Sequence, residues 1–179
     1  MRLRRLPRAQ RGYSIIEIVT AVAVLALLLG FAIPSFEQFM MNFRTTSQTN
    51  DLLADIAVAR FEATKLGRNV TMAANGGDWN TGWQVNADLN GNGTIAADEI
   101  LRRRGELDDG FAVAAASGGA AITEIVFAPT GAMTTPAALA EFAMCRPDNN
   151  SAKARGIRVQ PTGRAESKKG LSGFTVSCP

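Results

Sequence analysis

The chain has 179 residues, 19 basic and 16 acidic side chains, two cysteines and no histidine. That length allows one modest globular domain beside a further segment, and the missing histidine excludes Ser-His-Asp and Cys-His catalysis outright. The formal charge of +3 invites a nucleic-acid reading, but five arginines (Arg2, Arg4, Arg5, Arg8, Arg11) precede Gly12, and without them 14 basic residues face 16 acidic ones. From Tyr13 to Cys145 seven basic residues stand against fourteen acidic ones; from Arg146 onward the balance is seven against two, so the last stretch is the basic part.

From Ile18 to Ile33 almost every side chain is apolar, with Thr20 and Gly30 the only relief. Clustered positive charge beside such a run holds that end in the cytoplasm and places the rest of the chain across the membrane. An ordinary secretory signal has an apolar core of about 7–15 residues and a small-residue cleavage site; here the run is longer and no A-x-A follows. Glu17 stands at the mouth of this segment, where a charge near the bilayer centre costs roughly 2.5–3.5 kcal/mol, and it calls for a cation in the same layer. Cutting after Gly12 would supply one, because the new amine of Tyr13 has an ordinary pKa near ~8 and in a bundle would meet the Glu17 of a neighbour. The stretch Gly12-Tyr13-Ser14-Ile15-Ile16-Glu17 resembles the class III signal of type IV pilins and type II secretion pseudopilins. The resemblance implies a prepilin peptidase that removes the leader 1–12 and methylates the Tyr13 amine, with glutamate fifth in the mature chain.

The spacing predicts one helix over 13–66, roughly 80 Å long at 1.5 Å per residue, with about 15–35 in the membrane and the remainder amphipathic. Pro34 should kink it or open its hydrogen-bond ladder. Leu52, Ile56, Ala59, Ala63 and Leu66 form an apolar stripe, Asp51, Asp55, Arg60 and Glu62 read as solvent-side, and Gly67 is the expected stop. Beyond it, 67–179 reads as a β head. Strands are expected at Asn69–Ala74, Gly82–Asn86, Phe111–Ala114, Glu124–Ala128, Leu139–Cys145, Gly156–Gln160 and Gly173–Cys178, between Gly, Asn, Asp and Pro clusters. Ser117–Ala121 reads as a flexible link.

Within the head, Asp88-x-Asn90-x-Asn92-Gly93-Thr94-x4-Glu99 fits the formula of a calcium loop, with oxygen ligands at alternate positions (Asp88, Asn90, Asn92, Thr94) and a terminal carboxylate (Glu99). The competing reading is a structural turn, because Asn-Gly pairs also make hairpins. Cys145 and Cys178 both fall in the exported part, and an oxidising compartment makes their disulfide the default, worth about 3–4 kcal/mol for a loop of this size.

Trp79-x-x-Gly82-Trp83-Gln84-Val85, Asp88-Leu89-Asn90-Gly91-Asn92-Gly93, Ile100-Leu101-Arg102, Ile125-Val126-Phe127-Ala128-Pro129-x-Gly131 and Ala154-Arg155-Gly156-Ile157-Arg158-Val159 with Gly163-Arg164 together resemble the GspH/FimT branch of minor pilins. The resemblance implies an α+β fold, a long helix packed on an antiparallel sheet or β-sandwich head. It implies a low-copy minor type IV pilin that primes or caps pilus assembly, with other pilin subunits as partners and no enzymatic activity. Its place would be the inner membrane, single-pass, with a periplasmic head before assembly into a surface pilus or periplasmic pseudopilus. Two further readings stay open. One is a type II secretion pseudopilin, against which Pro34 speaks. The other is a DNA-binding pilin of natural transformation: if Arg155 to Gln160 and a segment starting at Arg164 form a hairpin, several of Lys153, Arg155, Arg158, Arg164, Lys168 and Lys169 could share an edge with its loop and bind double-stranded DNA. The alternative for that edge is a solvated cationic loop facing an acidic neighbour in the fibre.

Overall fold

The computed structural model describes residues 12–108 and 110–178. One α-helix, α1 (Ile15–Leu66), opens the described chain. The Ser14 carbonyl accepts the backbone N–H groups of Glu17 and Ile18 and so starts the ladder. The helix continues through Pro34, although that residue supplies no N–H to the turn behind it. The described chain divides into two compact units, which meet between Met40 and Met41. In the first, every residue from Gly12 to Glu37 is exposed. In the second, the buried side chains of α1 are Thr45, Thr49, Leu52, Ile56, Ala59 and Ala63 together with Asp55. Spacings of four and three put the first six on one face. The hydroxyls of Thr45 and Thr49 donate back to the carbonyls four residues earlier, at 2.7 and 2.6 Å, so two polar groups enter the core satisfied.

Among the described residues ten strands follow: β1 (Val70–Ala74), β2 (Trp83–Asn86), β3 (Ile100–Arg104), β4 (Ala112–Ser117), β5 (Ala120–Ala121), β6 (Glu124–Phe127), β7 (Met133–Thr135), β8 (Ala140–Cys145), β9 (Arg155–Val159) and β10 (Ala165–Lys169). They form two five-stranded sheets, ordered β3-β2-β1-β6-β7 and β10-β9-β8-β4-β5, paired antiparallel throughout. The inner faces of both sheets share one core with α1, built around Leu52, Ile56, Trp83, Phe127, Phe142 and Ile157. Trp79 fits edge-on against Phe142, ring centroids 5.1 Å apart, and its indole N–H donates to the Ile122 carbonyl at 2.7 Å.

Three expectations fail here for physical reasons. The link 117–121 is not loose: Ser117 pairs with Ala120 across Gly118-Gly119. Both glycines have positive φ, as a tight hairpin turn requires. Gly173–Cys178 is not a strand. It crosses the outer face of the second sheet as an irregular strap, burying Val176 against Ala116, Ala143 and Cys145. Asp55 is not solvent-side but fully buried, because two strand arginines reach it from β3.

Candidate functional site

At the helix start, Glu17 lies in the first turn, where the positive end of the helix favours a carboxylate. Beside it, Thr20, Ala21, Val24 and Leu28 line a shallow furrow along the helix. Gly12 and Tyr13 precede the helix as exposed, non-helical chain. Residues 1–11, which hold the five arginines of the expected leader, lie outside the described residues. The segment that follows is long and apolar enough to cross a membrane.

In the 88–99 loop the candidate ligands turn on the loop's own backbone. Asp88 accepts from the N–H groups of Gly91, Asn92 and Gly93 at 2.7, 3.1 and 2.8 Å. Asn90 and Asn92 each accept from the N–H two residues on, and Asn92 also accepts from the Thr94 hydroxyl. Glu99, buried, takes the N–H groups of Leu89 and Asn90 on one oxygen and that of Ala96 on the other. These bonds hold both carboxyls below their ordinary range, led by the Gly93 N–H for Asp88 and the Ala96 N–H for Glu99. Such bonding orders the loop from within. Among the described residues no group of three or more His, Cys, Asp or Glu is placed to hold a metal.

The basic residues do not share one edge. Arg158 is spent internally: it pairs with Glu141 at 3.0 Å, donates to the Gly173 carbonyl, and lies 4.3 Å over the Phe174 ring. Arg164 projects from the β9–β10 turn. Arg155 and Lys169 face each other at the far end of that hairpin, about 17 Å from Arg164 at strand rise, with Lys168 about 14 Å from it. Lys153 precedes β9, partly buried.

Cys145 and Cys178 are joined by a disulfide, Cα atoms 5.5 Å apart, which ends the strap on β8. Under it Glu141 is 2% exposed. Burial opposes its ionisation, but the hydroxyl and N–H of Thr175 and the Arg158 guanidinium outweigh that and lower its pKa. Gly156 lies directly beneath Phe174, so that a Cβ there would collide with the ring.

Two charged centres have no counterpart in the sequence reading. Asp55 accepts from the Trp83 indole at 2.8 Å and from Arg104 Nε at 3.3 Å. Arg102 Nε lies beside its other oxygen without hydrogen-bond alignment. Arg146, 1% exposed, bonds Asn42 at 2.7 Å and Asp148 at 2.8 Å, fixing the loop after β8 to α1. The available signal was the alternation in Arg102-Arg103-Arg104, which puts the first and third on one face of a strand.

A single long helix, apolar in its first half and packed in its second against two antiparallel sheets, defines a pilin-type fold. The solved structures it resembles bear this out. The Pseudomonas aeruginosa (strain PAO1) type IV minor pilin FimU aligns in two crystal forms at TM-scores of 0.56 and 0.55. Identities are 21 and 22%, covering 74 and 69% of this chain and 90 and 91% of FimU. The minor pseudopilin EpsH from the type 2 secretion system of Vibrio cholerae aligns at 0.54 with 8% identity, covering 70% of this chain and 97% of EpsH. These likenesses establish the fold. The family model described as type II transport protein GspH matches residues 48–163, and the prokaryotic N-terminal methylation motif matches 7–33. The chain therefore belongs to the GspH family and is a minor pilin or pseudopilin of the GspH/FimT type. No curated protein matches it significantly.

Proposed function

We propose that the chain is a low-copy structural subunit of a type IV pilus that primes or caps assembly. The observation that carries this reading is Glu17 in the first helical turn beside a furrow lined by Thr20, Ala21 and larger apolar side chains, on a helix whose first 23 residues are all exposed. An apolar surface of that extent demands lipid or other helices. Before assembly the helix anchors the chain in the inner membrane with the head in the periplasm. Prepilin peptidase cuts after Gly12, the Tyr13 amine is methylated, and the helices of successive subunits then pack in the fibre core. There Glu17 neutralises the Tyr13 amine of a neighbour, and Pro34, lacking its N–H, lets the helix loosen locally. The reading assigns no catalysis and no cofactor.

The name of the matched family supports a second reading, a type II secretion pseudopilin; Pro34 favours the pilus. Glu17→Ala is expected to be cut normally yet lost from sheared fibres. Wild-type levels of that variant in fibres would remove the charge-pairing role. A deletion that stops protein secretion but spares pili would transfer the chain to the secretion machine.

A further inference from the structure

Among the described residues of the head, the exposed large hydrophobic side chains are Phe43, Phe61, Leu89 and Ile95. Phe61, 61% exposed, stands in a groove of about 610 Å³ between the flank of α1 and two turns, β6–β7 and β9–β10. Leu53 and Ala57 contribute its apolar floor, and Arg60 and Arg164 are its charged members. None of the lining residues is acidic.

The groove is held open by a tie between the two sheets. Arg60 Nε donates to the Gly131 carbonyl at 3.0 Å and Nη2 to the Thr162 carbonyl at 3.3 Å, so one guanidinium fixes a turn from each sheet. Gly163 has φ +78°, and a Cβ there would run into the Gly131 carbonyl and Arg60. The chain therefore turns tightly at that point and sends Arg164 outward. The Arg164 side chain is 76% exposed, and its ion pair is a long one, 3.9 Å to Glu166.

We propose that this groove is an intersubunit docking site for an acidic, aliphatic loop of a neighbouring pilin subunit, with the aliphatic side chain against Phe61 and Ala57 and the carboxylate on Arg164. The proposal rests on the fibre reading above. An arginine fork matches a carboxylate bidentately, and an exposed aromatic beside it offers the apolar contact that anchors interfaces. Nucleic acid fits less well. Phosphate tracking needs several cations in a row, whereas Arg158 is consumed internally, the far basic group lies about 14–17 Å away along the strand, and the groove floor is apolar. The loop at Leu89–Asp98 shows the required chemistry in this chain's own head: Leu89 and Ile95 are exposed beside an exposed Asp98.

The test uses the full-length chain in piliated cells, with Phe61 replaced by the photo-crosslinking residue benzoylphenylalanine. Illumination of assembled fibres should give an adduct that mass spectrometry maps to a carboxylate-bearing aliphatic loop of another pilin subunit. Arg164→Glu should lower its yield about tenfold or more, since it puts a like charge in the contact, while Arg164→Lys, which keeps the charge but loses the bidentate fork, should give an intermediate yield. An adduct to a segment without a carboxylate, an adduct to DNA, no adduct in fibres, or a yield indifferent to Arg164→Glu would overturn the assignment. The amount of chain in the same sheared fibres separates the two levels. A chain present without the adduct removes only the groove assignment; a chain absent from fibres removes the fibre reading and the groove with it.

Discussion

The central strands of the two sheets are built differently. β1 alternates buried and half-buried side chains along its five residues, whereas β8 is buried at all six. Both are flanked by two antiparallel partners and both give one face to the same core. They differ in what covers the other face. Thr71, Ala73 and their neighbours Gln84 and Val126 on the first sheet remain partly open, while the outer face of the second lies under the 171–178 strap. Alternation along a strand thus records solvent on one side. A segment with no regular structure abolishes it as effectively as a second sheet does. The cover also changes the chemistry allowed beneath it: Glu141 on β8 must be paired, and it is, by Arg158 and Thr175.

Each prediction presses on this contrast. Replacing Cys145 and Cys178 by serine should cost about 3–4 kcal/mol, from the entropy of the released loop. Amide exchange on the full chain in detergent should then show lost protection in β8 before β1. Equal loss in both strands would mean that the strap supports the whole head rather than one face. Glu141→Ala strands Arg158, and the partial exposure of that guanidinium reduces the cost of a broken buried pair to about 2–3 kcal/mol; chemical denaturation measures it. A loss below half a kcal/mol would show that the strap is held by its apolar contacts alone.

Acid should act in the same place. The folded pKa of Glu141 lies below its unfolded value, so its contribution is complete above the unfolded value and is lost as pH falls through the lowered one. Asp88 and Glu99 follow the same sign in their loop. Stability should therefore decline on the acid side of the ordinary carboxylate range, and Glu141→Gln should flatten that limb. An unchanged acid limb in the variant would assign it to other groups. The smallest effect is expected on the open face, where Thr71→Ala should stay within about 0.5 kcal/mol. A larger loss there would reveal a cover that the first sheet does not show.

The fold was legible where the signal was local. The stripe Leu52, Ile56, Ala59 and Ala63 follows helical spacing and is buried, and the Gly12–Glu17 stretch lies within the matched methylation motif. Gly173–Cys178 read as a strand because Phe174, Val176 and Cys178 alternate with polar residues. That alternation is real, but the sheet lies beneath the segment and no strand lies beside it, so no ladder forms. Asp55 read as solvent-facing because its partners, Trp83, Arg102 and Arg104, are 28 to 49 residues away in sequence. Spacing along the basic tail does not reveal that Arg158 turns to Glu141 and Phe174.

The strap also constrains the order in which the head can form. Its docking floor is made by β8 and β9 together, with Gly156 of β9 under Phe174 and Glu141 of β8 bonded to Thr175, so it has nowhere to settle until that hairpin is complete. Oxidation need not wait for the same event. The chain has only two cysteines, so within one molecule no mispaired bond exists. A thiol oxidase that acts early and one that acts late deliver the same covalent product.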